Sequence, residues 1–381
     1  MKKSIQTLIR NEFPLKKNII YLANAEVAPL PLSSANAIAE YAKDYSNFGH
    51  KAYYNKYEKL IDDTRVEAAK LLDCSEDEIA FGKNTTWGII LASMLLPLKK
   101  DDEIIIPHKE FPANYYPWLP LRNKGIKIKF IRSRDFGIAP EDIIDNITKK
   151  TKLITQSLVD YFTGYRQDFK KLSKVCKEKD IHLVLDAIQG IGAIPFSCKK
   201  NHISFLSADA HKWMMGPEGI SLLYINKKVI PKLNQDYYGW LNLEDPFDFL
   251  KRNKELVKTA SRVEEGSHNM LGIAGLNKSL KLINEVGIDE IWESIFKLTE
   301  ILIIELKKLG YYVVTRKQKN SRAGIISFKP TKNATLIQKH FETKKIYINQ
   351  RNGYLRISPH FYNDKDEIKN FIDELTYIED N

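Results

Sequence analysis

Lys212 is the residue whose surroundings most directly suggest covalent chemistry. It lies in the run Ser-Ala-Asp-Ala-His-Lys-Trp-Met-Met-Gly-Pro-Glu-Gly (residues 207–219), among small and apolar residues. Desolvation in such surroundings lowers the pKa of a lysine and frees its amine to attack a carbonyl carbon. Taken alone, the segment is also compatible with an incidental loop lysine. The residue types favour an amine held ready for imine formation.

Asp186 ends a strand-like run, His182–Asp186. A carboxylate at the end of a buried strand is costly unless it has a cationic partner or strong donors, and a protonated pyridine nitrogen is such a partner. An aspartate that caps a helix or ties a loop is an equal alternative on this segment alone. The glycines at 190 and 192 also suggest a dinucleotide fingerprint, but the sixth position is Pro195, which argues against it.

A third segment places hydroxyl groups at the start of a predicted helix. Residues 84–88 (Asn-Thr-Thr-Trp-Gly) follow a strand-like run, and the apolar residues after them recur at helical spacing. Hydroxyls and free backbone N–H groups at a helix start form an anion site suited to a phosphate. An ordinary threonine N-cap is the alternative.

The elements that must position these residues alternate between short strands and helices. From Glu78 to Ile225 the pattern predicts an α/β fold with a mostly parallel sheet covered on both faces. Two long helices and three further strands then predict a smaller α+β unit. We expect an N-terminal segment (1–20) that packs with the small domain, a large domain (21–255) and a small C-terminal domain (256–381).

Composition bounds the setting of this chemistry. The net charge is +11 from 59 Lys+Arg and 48 Asp+Glu, but the lysines are spread as pairs, which argues against a nucleic-acid site. No apolar run reaches the roughly 18–20 residues of a membrane span. Three cysteines are too few for a disulfide framework or a zinc cluster. We therefore expect a cytoplasmic protein with no metal, membrane or nucleic-acid partner.

Together these segments resemble the class V, cysteine-desulfurase-like branch of the fold-type I enzymes that depend on pyridoxal 5′-phosphate (PLP). The resemblance spans about residues 19–375, and its most specific parts are Asp186-Ala187-Ile188-Gln189 and His211-Lys212, with 26 positions between Asp186 and Lys212. It implies a large domain with a mostly parallel seven-stranded sheet and PLP as the cofactor.

The resemblance also implies a role for each matching residue. Lys212 corresponds to the lysine that forms the imine and acts as acid and base, Asp186 to the partner of the pyridine nitrogen, and Gln189 to a contact of the phenolic oxygen. The positions that match phosphate ligands are Thr85, Thr86 and His211, with Ser267 reaching the phosphate of the other subunit. Arg356 matches the arginine that binds the carboxylate of a small amino-acid substrate, so we expect a homodimer with shared active sites.

Two departures from the desulfurase pattern shape the functional prediction. Phe111 stands where desulfurases stack a histidine on the ring, and residues 347–353 contain no nucleophilic cysteine. These features predict that the chain is not a persulfide-forming cysteine desulfurase. Residues 111–114 and 356–363 look instead like isopenicillin-N-epimerase-like and C–S lyase-like members.

The favoured reaction is β-elimination with C–S cleavage of a cysteine-derived substrate, after proton removal from Cα. Class V aminotransfer and amino-acid racemisation or epimerisation stay open as alternatives. A non-enzymatic PLP-fold sensor is a further alternative, although the retained Lys212 argues against it.

Overall fold

Short runs of apolar residues form the strands of the protein. The structure is a computed structural model that describes residues 3–132 and 137–380. In chain order the strands are β1 (Ile20–Tyr21), β2 (Ile79–Gly82), β3 (Glu103–Pro107), β4 (Lys127–Ile131), β5 (Thr151–Ser157), β6 (His182–Asp186), β7 (Phe205–Asp209), β8 (Ser221–Ile225), β9 (Tyr312–Val313), β10 (Ile326–Lys329), β11 (Ile346–Tyr347), β12 (Asn349–Arg351) and β13 (Tyr354–Ile357).

The helices lie between these strands and at both ends of the described chain. They are α1 (Lys3–Glu12), α2 (Leu32–Phe48), α3 (His50–Ala52), α4 (Leu60–Leu72), α5 (Thr85–Leu95), α6 (Pro140–Ile144), α7 (Phe169–Glu178), α8 (Met270–Val286), α9 (Ile288–Lys308), α10 (Ala334–Thr343) and α11 (Lys365–Asp380). Within the described residues, no helix combines the length and apolar character needed to cross a lipid bilayer.

Seven strands form the large sheet, in the order β2-β8-β7-β6-β5-β3-β4. Neighbouring strands are parallel except that β8 runs against both β7 and β2. Strands β6, β7 and β8 are almost wholly buried, as expected for a sheet covered on both faces. The predicted fold-type I architecture is thereby confirmed.

The carboxyl ends of β5, β6 and β7 place polar residues at one edge of the sheet. In the strand register Ser157 pairs with Asp186, and Asp186 pairs with Ser207. In open α/β sheets this edge is where ligands bind. The loops that leave these three strands therefore have to supply the site.

A second, antiparallel sheet has the order β12-β13-β10-β9, and its apolar side packs with α9, α10 and α11 in a separate core. Helix α8 packs instead toward the large sheet: Ser34 Oγ donates to the carbonyl of Gly275 (2.7 Å), and Asn277 Nδ2 to Thr64 Oγ1 (3.1 Å). These contacts join α8 to α2 and α4.

The segment 20–28 connects the two sheets; we call it the linking segment. Strand β1 pairs with β11, and the backbone N–H of Ser358 donates to the carbonyl of Leu22 (2.7 Å). The Asn24 amide donates to the carbonyl of Ser358 (2.8 Å). At its other end, the N–H of Ala28 donates to the carbonyl of His211 (2.8 Å). The neighbour of Lys212 and the strand that carries Arg356 are thus tied to one stretch of chain.

Candidate active site

Lys212 is held in a tight turn that follows β7. The N–H of Met215 donates to the carbonyl of Lys212 (2.9 Å), and the N–H of Gly216 donates to the carbonyl of Ala210 (2.8 Å). Met215 adopts a left-handed conformation with φ 55°, which is costly for a side chain of this size. The turn fixes the direction in which the lysine side chain leaves the sheet.

Lys212 and Asp186 have opposite charges and are both largely removed from water. Burial raises the pKa of Asp186 to about 6, against a hydrogen bond from the N–H of Ile188 and the attraction of Lys212. Burial lowers the pKa of Lys212 to about 8, and the positive charge of Arg356 acts in the same direction. Near neutral pH the charged form still dominates, but the uncharged share that imine formation requires is far larger than in an ordinary lysine.

The first turn of α5 meets the end of β7. The Asn84 side chain caps the helix by accepting from the N–H of Trp87 (2.8 Å), and Thr85 Oγ1 accepts from the N–H of Asp209 (2.9 Å). Thr86 is exposed, whereas Thr85 is buried. His211 Nδ1 lies 3.0 Å from Asp209 Oδ1, but without hydrogen-bond geometry.

A cavity of about 250 Å³ brings most of the predicted cofactor residues together. The predicted residues that line it are Thr85, Thr86, Phe111, Asp186, Gln189, His211 and Lys212. Ser267 is not among them; it is exposed and lines a different cavity with Gly82 and Trp87.

Gln189 has structural partners on both ends of its amide. Its Nε2 donates to the carbonyl of Ala25 (2.9 Å), and its Oε1 accepts from the indole N–H of Trp213 (2.8 Å). The residue thus joins the linking segment to the lysine turn. Contact between Gln189 and the phenolic oxygen of PLP stays a prediction.

Arg356 is buried on β13 and incompletely paired. Its Nη1 donates to the carbonyl of Tyr161 (2.8 Å), while Nε and Nη2 have no hydrogen-bond partner in the described part of the chain. Burial and the nearby Arg351 lower the pKa of Arg356 to about 10. A buried guanidinium with free donors is suited to a carboxylate ligand, although Arg356 does not itself line the Lys212 cavity.

Two aromatic residues, Phe111 and Tyr161, line the Lys212 cavity. The Phe111 ring centroid lies 6.0 Å from Lys212 Nζ and 5.2 Å from the ring of Tyr161, in an edge-to-face arrangement. Phe111 is 41% exposed. This leaves its face available to an aromatic ligand, and stacking on a cofactor ring stays a prediction.

Glu110 belongs to the site but was not predicted from the sequence. Its carboxylate accepts from the N–H and Oγ of Ser157 and from the Asn114 amide (2.8, 2.5 and 3.1 Å). Burial raises its pKa to about 7, and the neighbouring Asp186 adds to the rise. Its position three residues beyond β3, at the same sheet edge as Asp186, is a signal that could have revealed it.

The donors present fit PLP. A lysine of lowered pKa, a buried carboxylate and a helix start with hydroxyls match the aldehyde, the ring nitrogen and the phosphate of this cofactor. The fold and the site therefore define a PLP-dependent enzyme of fold type I. The separate role of each ligand stays a prediction.

Comparison with known proteins places the chain in a family. Residues 20–371 match the aminotransferase class-V family, and the chain belongs to it. A probable cysteine desulfurase of Borreliella burgdorferi is 31% identical, over 96% of this chain and 94% of the relative. A probable cysteine desulfurase of Methanothermobacter thermautotrophicus is 27% identical over 95% of both chains.

Solved structures agree with this placement. The apo cysteine desulfurase of Thermococcus onnurineus NA1 has a TM-score of 0.88 and 25% identity, with 97% of both chains covered. A C-DES mutant with glycine covalently linked to its PLP cofactor shares the fold, with a TM-score of 0.89 and 21% identity; the alignment covers 96% of this chain and 98% of the C-DES chain.

The prediction that the chain is not a persulfide-forming cysteine desulfurase is wrong as an exclusion. The relatives at 27–31% identity are named probable cysteine desulfurases. The prediction depended on a cysteine missing from one short loop and on Phe111. Neither feature alters Lys212, Asp186 or Arg356, so the two features do not exclude that reaction class.

Proposed function

We propose that this enzyme breaks the Cβ–S bond of a cysteine-derived amino acid by PLP-dependent β-elimination. The observation that carries the proposal is the amine of Lys212, whose pKa is lowered to about 8 within a cavity that also contains Asp186. The names of the relatives, which refer to cysteine sulfur, support a sulfur amino acid as substrate. Phe111 supports kinship with the isopenicillin-N-epimerase-like and C–S lyase-like members.

Each residue has a separate task in this proposal. When bound, PLP supplies an electron sink for negative charge at Cα. Arg356 binds the substrate carboxylate through its free Nε and Nη2. The uncharged amine of Lys212 removes the α-proton. Asp186 would pair with the ring nitrogen of PLP and keep that nitrogen protonated. Thr85, Thr86 and His211 hold the phosphate.

A product assay tests the reaction. The enzyme is incubated with a cysteine S-conjugate and, separately, with an amino-acid and keto-acid pair; Lys212→Ala is the control. Equimolar thiol, pyruvate and ammonia are expected. Three other products would contradict β-elimination. Alanine formed from cysteine with transfer of sulfur would indicate desulfuration, a new amino acid from the keto acid would indicate aminotransfer, and a D-amino acid would indicate racemisation or epimerisation. A spectral change on adding amino acid without any product would support the sensor alternative.

We also propose a homodimer in which Ser267 reaches the phosphate site of the other subunit. Its exposure and its absence from the lining of the Lys212 cavity support a role outside its own subunit. A sizing column should give twice the chain mass of 44.1 kDa, and Ser267→Ala should weaken PLP binding. A monomer with full PLP occupancy would contradict this assignment.

The domain limits at residues 20 and 255 stay predictions, and residues 1, 2 and 381 lie outside the described residues.

A further inference from the structure

A second cavity, of about 450 Å³, adjoins the Lys212 cavity; we call it the side cavity. The two cavities share Ser157 and Tyr161 in their linings. Besides these, the side cavity is lined by polar residues to which the proposed mechanism gives no task. They include His108, Lys109, Asp160 and Asn352.

The side cavity is connected to Arg356 through one of its lining residues. Tyr161, in its wall, accepts a hydrogen bond from Arg356 through its carbonyl (2.8 Å). Asn352, also in its wall, lies in the turn between β12 and β13, the strand that carries Arg356. If Arg356 binds the substrate carboxylate as proposed above, the side cavity offers space for the β-substituent.

Two carboxyl groups are among the described residues that line the side cavity. Glu110 and Asp160 both line it, and burial raises the pKa of each. Asp160 Oδ1 already accepts from the N–H groups of Phe162 and Thr163 (3.1 and 2.6 Å), and Lys109, an exposed residue, favours its ionised form. Among the described residues of the lining, two partly buried carboxyls stand beside one exposed lysine, a balance that favours a ligand with a further positive charge.

We propose that the side cavity binds the far end of the substrate, and that the substrate is a cysteine S-conjugate whose sulfur substituent ends in an ammonium group. This inference rests on the proposed C–S cleavage. Lys212 takes the α-proton and the Cβ–S bond breaks. The sulfur leaves with the bonding electrons as a thiolate and takes up a proton. The three-carbon fragment, with one water, becomes pyruvate and ammonia.

Two probes of matched size test the charge preference. S-(2-aminoethyl)-L-cysteine and S-propyl-L-cysteine have the same number of heavy atoms on sulfur and differ in one positive charge. A charge-assisted hydrogen bond contributes about 1.5–3 kcal/mol, so kcat/KM for the aminoethyl compound should exceed that for the propyl compound by about tenfold or more. Equal values for the two compounds would overturn the inference.

A substitution in the side cavity tests whether this cavity causes the preference for the aminoethyl compound. Asp160→Asn keeps an acceptor for the loop N–H groups and should reduce the preference to about threefold or less. Asp168→Asn makes the same change at a helix cap, where Asp168 accepts from the N–H of Lys170 (3.0 Å) outside the cavity, and should keep the preference. A preference that survives in Asp160→Asn contradicts the assignment.

Binding separates this inference from the proposed reaction. Calorimetric titration of both probes into the Lys212→Ala protein with PLP measures affinity without turnover. Tighter binding of the aminoethyl compound, lost in the double variant with Asp160→Asn, supports the side cavity even if neither probe is cleaved. Equal binding refutes the side cavity, whereas an absence of thiol and pyruvate from both probes refutes only the C–S cleavage.

Discussion

Replacing Lys212 by methionine should stabilise the cofactor-free protein. The folded protein lowers the pKa of this lysine from 10.5 to about 8, chiefly because the amine is buried. Since each pKa unit corresponds to about 1.4 kcal/mol, a charged Lys212 costs the fold about 3 kcal/mol. Methionine keeps the length and the apolar character of the side chain without the charge.

The pH dependence of this effect has a definite sign. Below pH 8 the amine is charged in both the folded and the unfolded protein, so the whole cost is present. As the pH rises from 8 toward 10.5 the folded protein has already released the proton, and the cost declines. The advantage of Lys212→Met should therefore be about 3 kcal/mol at pH 7 and about 1 kcal/mol at pH 10.

Urea denaturation of the cofactor-free proteins at both pH values measures this difference in the free energy of unfolding. Lys174→Met is the matched control, because the Lys174 side chain is 78% exposed on α7; it should change stability by less than about 0.5 kcal/mol. The reasoning fails if Lys212→Met is no more stable than the wild type at pH 7. It also fails if the advantage is the same at pH 10.

Two further substitutions test the carboxylate-binding arginine and the packing of Gly192 against the lysine turn. Arg356→Met should raise the KM for the amino-acid substrate about 10- to 100-fold, the value of a charge-assisted carboxylate contact. Arg351→Met, at the exposed end of β12, should change the KM less than about threefold. Equal effects of the two variants would contradict the assignment of Arg356 as the carboxylate ligand. Gly192→Ala should lower the free energy of unfolding by about 2 kcal/mol more than Gly287→Ala. Both glycines have positive φ, but only a Cβ at Gly192 would meet a backbone oxygen, the carbonyl of Trp213 at 2.3 Å. Urea denaturation measures both variants, and equal losses of unfolding free energy would show that the positive φ alone is responsible.

Much of the large domain is predictable because its signals are local. The apolar run that ends at Asp186 is strand β6, and the apolar run that follows the Lys212 segment is strand β8. Both strands have nearly the predicted limits. The helix start at Thr85 follows from Asn84 and the apolar spacing. These features depend on neighbours in sequence, so a single sequence contains the information.

Glu110 was missed, and the contacts of Gln189 and Arg356 could not be predicted, because all three depend on partners far away in the sequence. Glu110 accepts a hydrogen bond from Ser157, which is 47 positions away in the sequence, and Gln189 donates one to the carbonyl of Ala25, which is 164 positions away. Arg356 resembles a strand-surface residue when taken alone, yet it is 2% exposed because Tyr161 and its neighbours cover it. Spacing in the sequence does not encode such contacts.

The linking segment also constrains the order in which the protein can assemble during synthesis. Asn24 leaves the ribosome early, but its partner Ser358 follows 334 positions later. Strands β2 to β8 can pair before then, whereas closing so long a loop between Asn24 and Ser358 has to wait for almost the whole chain. We therefore expect nascent chains that stop short of Ser358 to contain a formed large sheet whose linking segment is not yet tied to Ser358, and catalytic competence to be the last property that the growing polypeptide acquires.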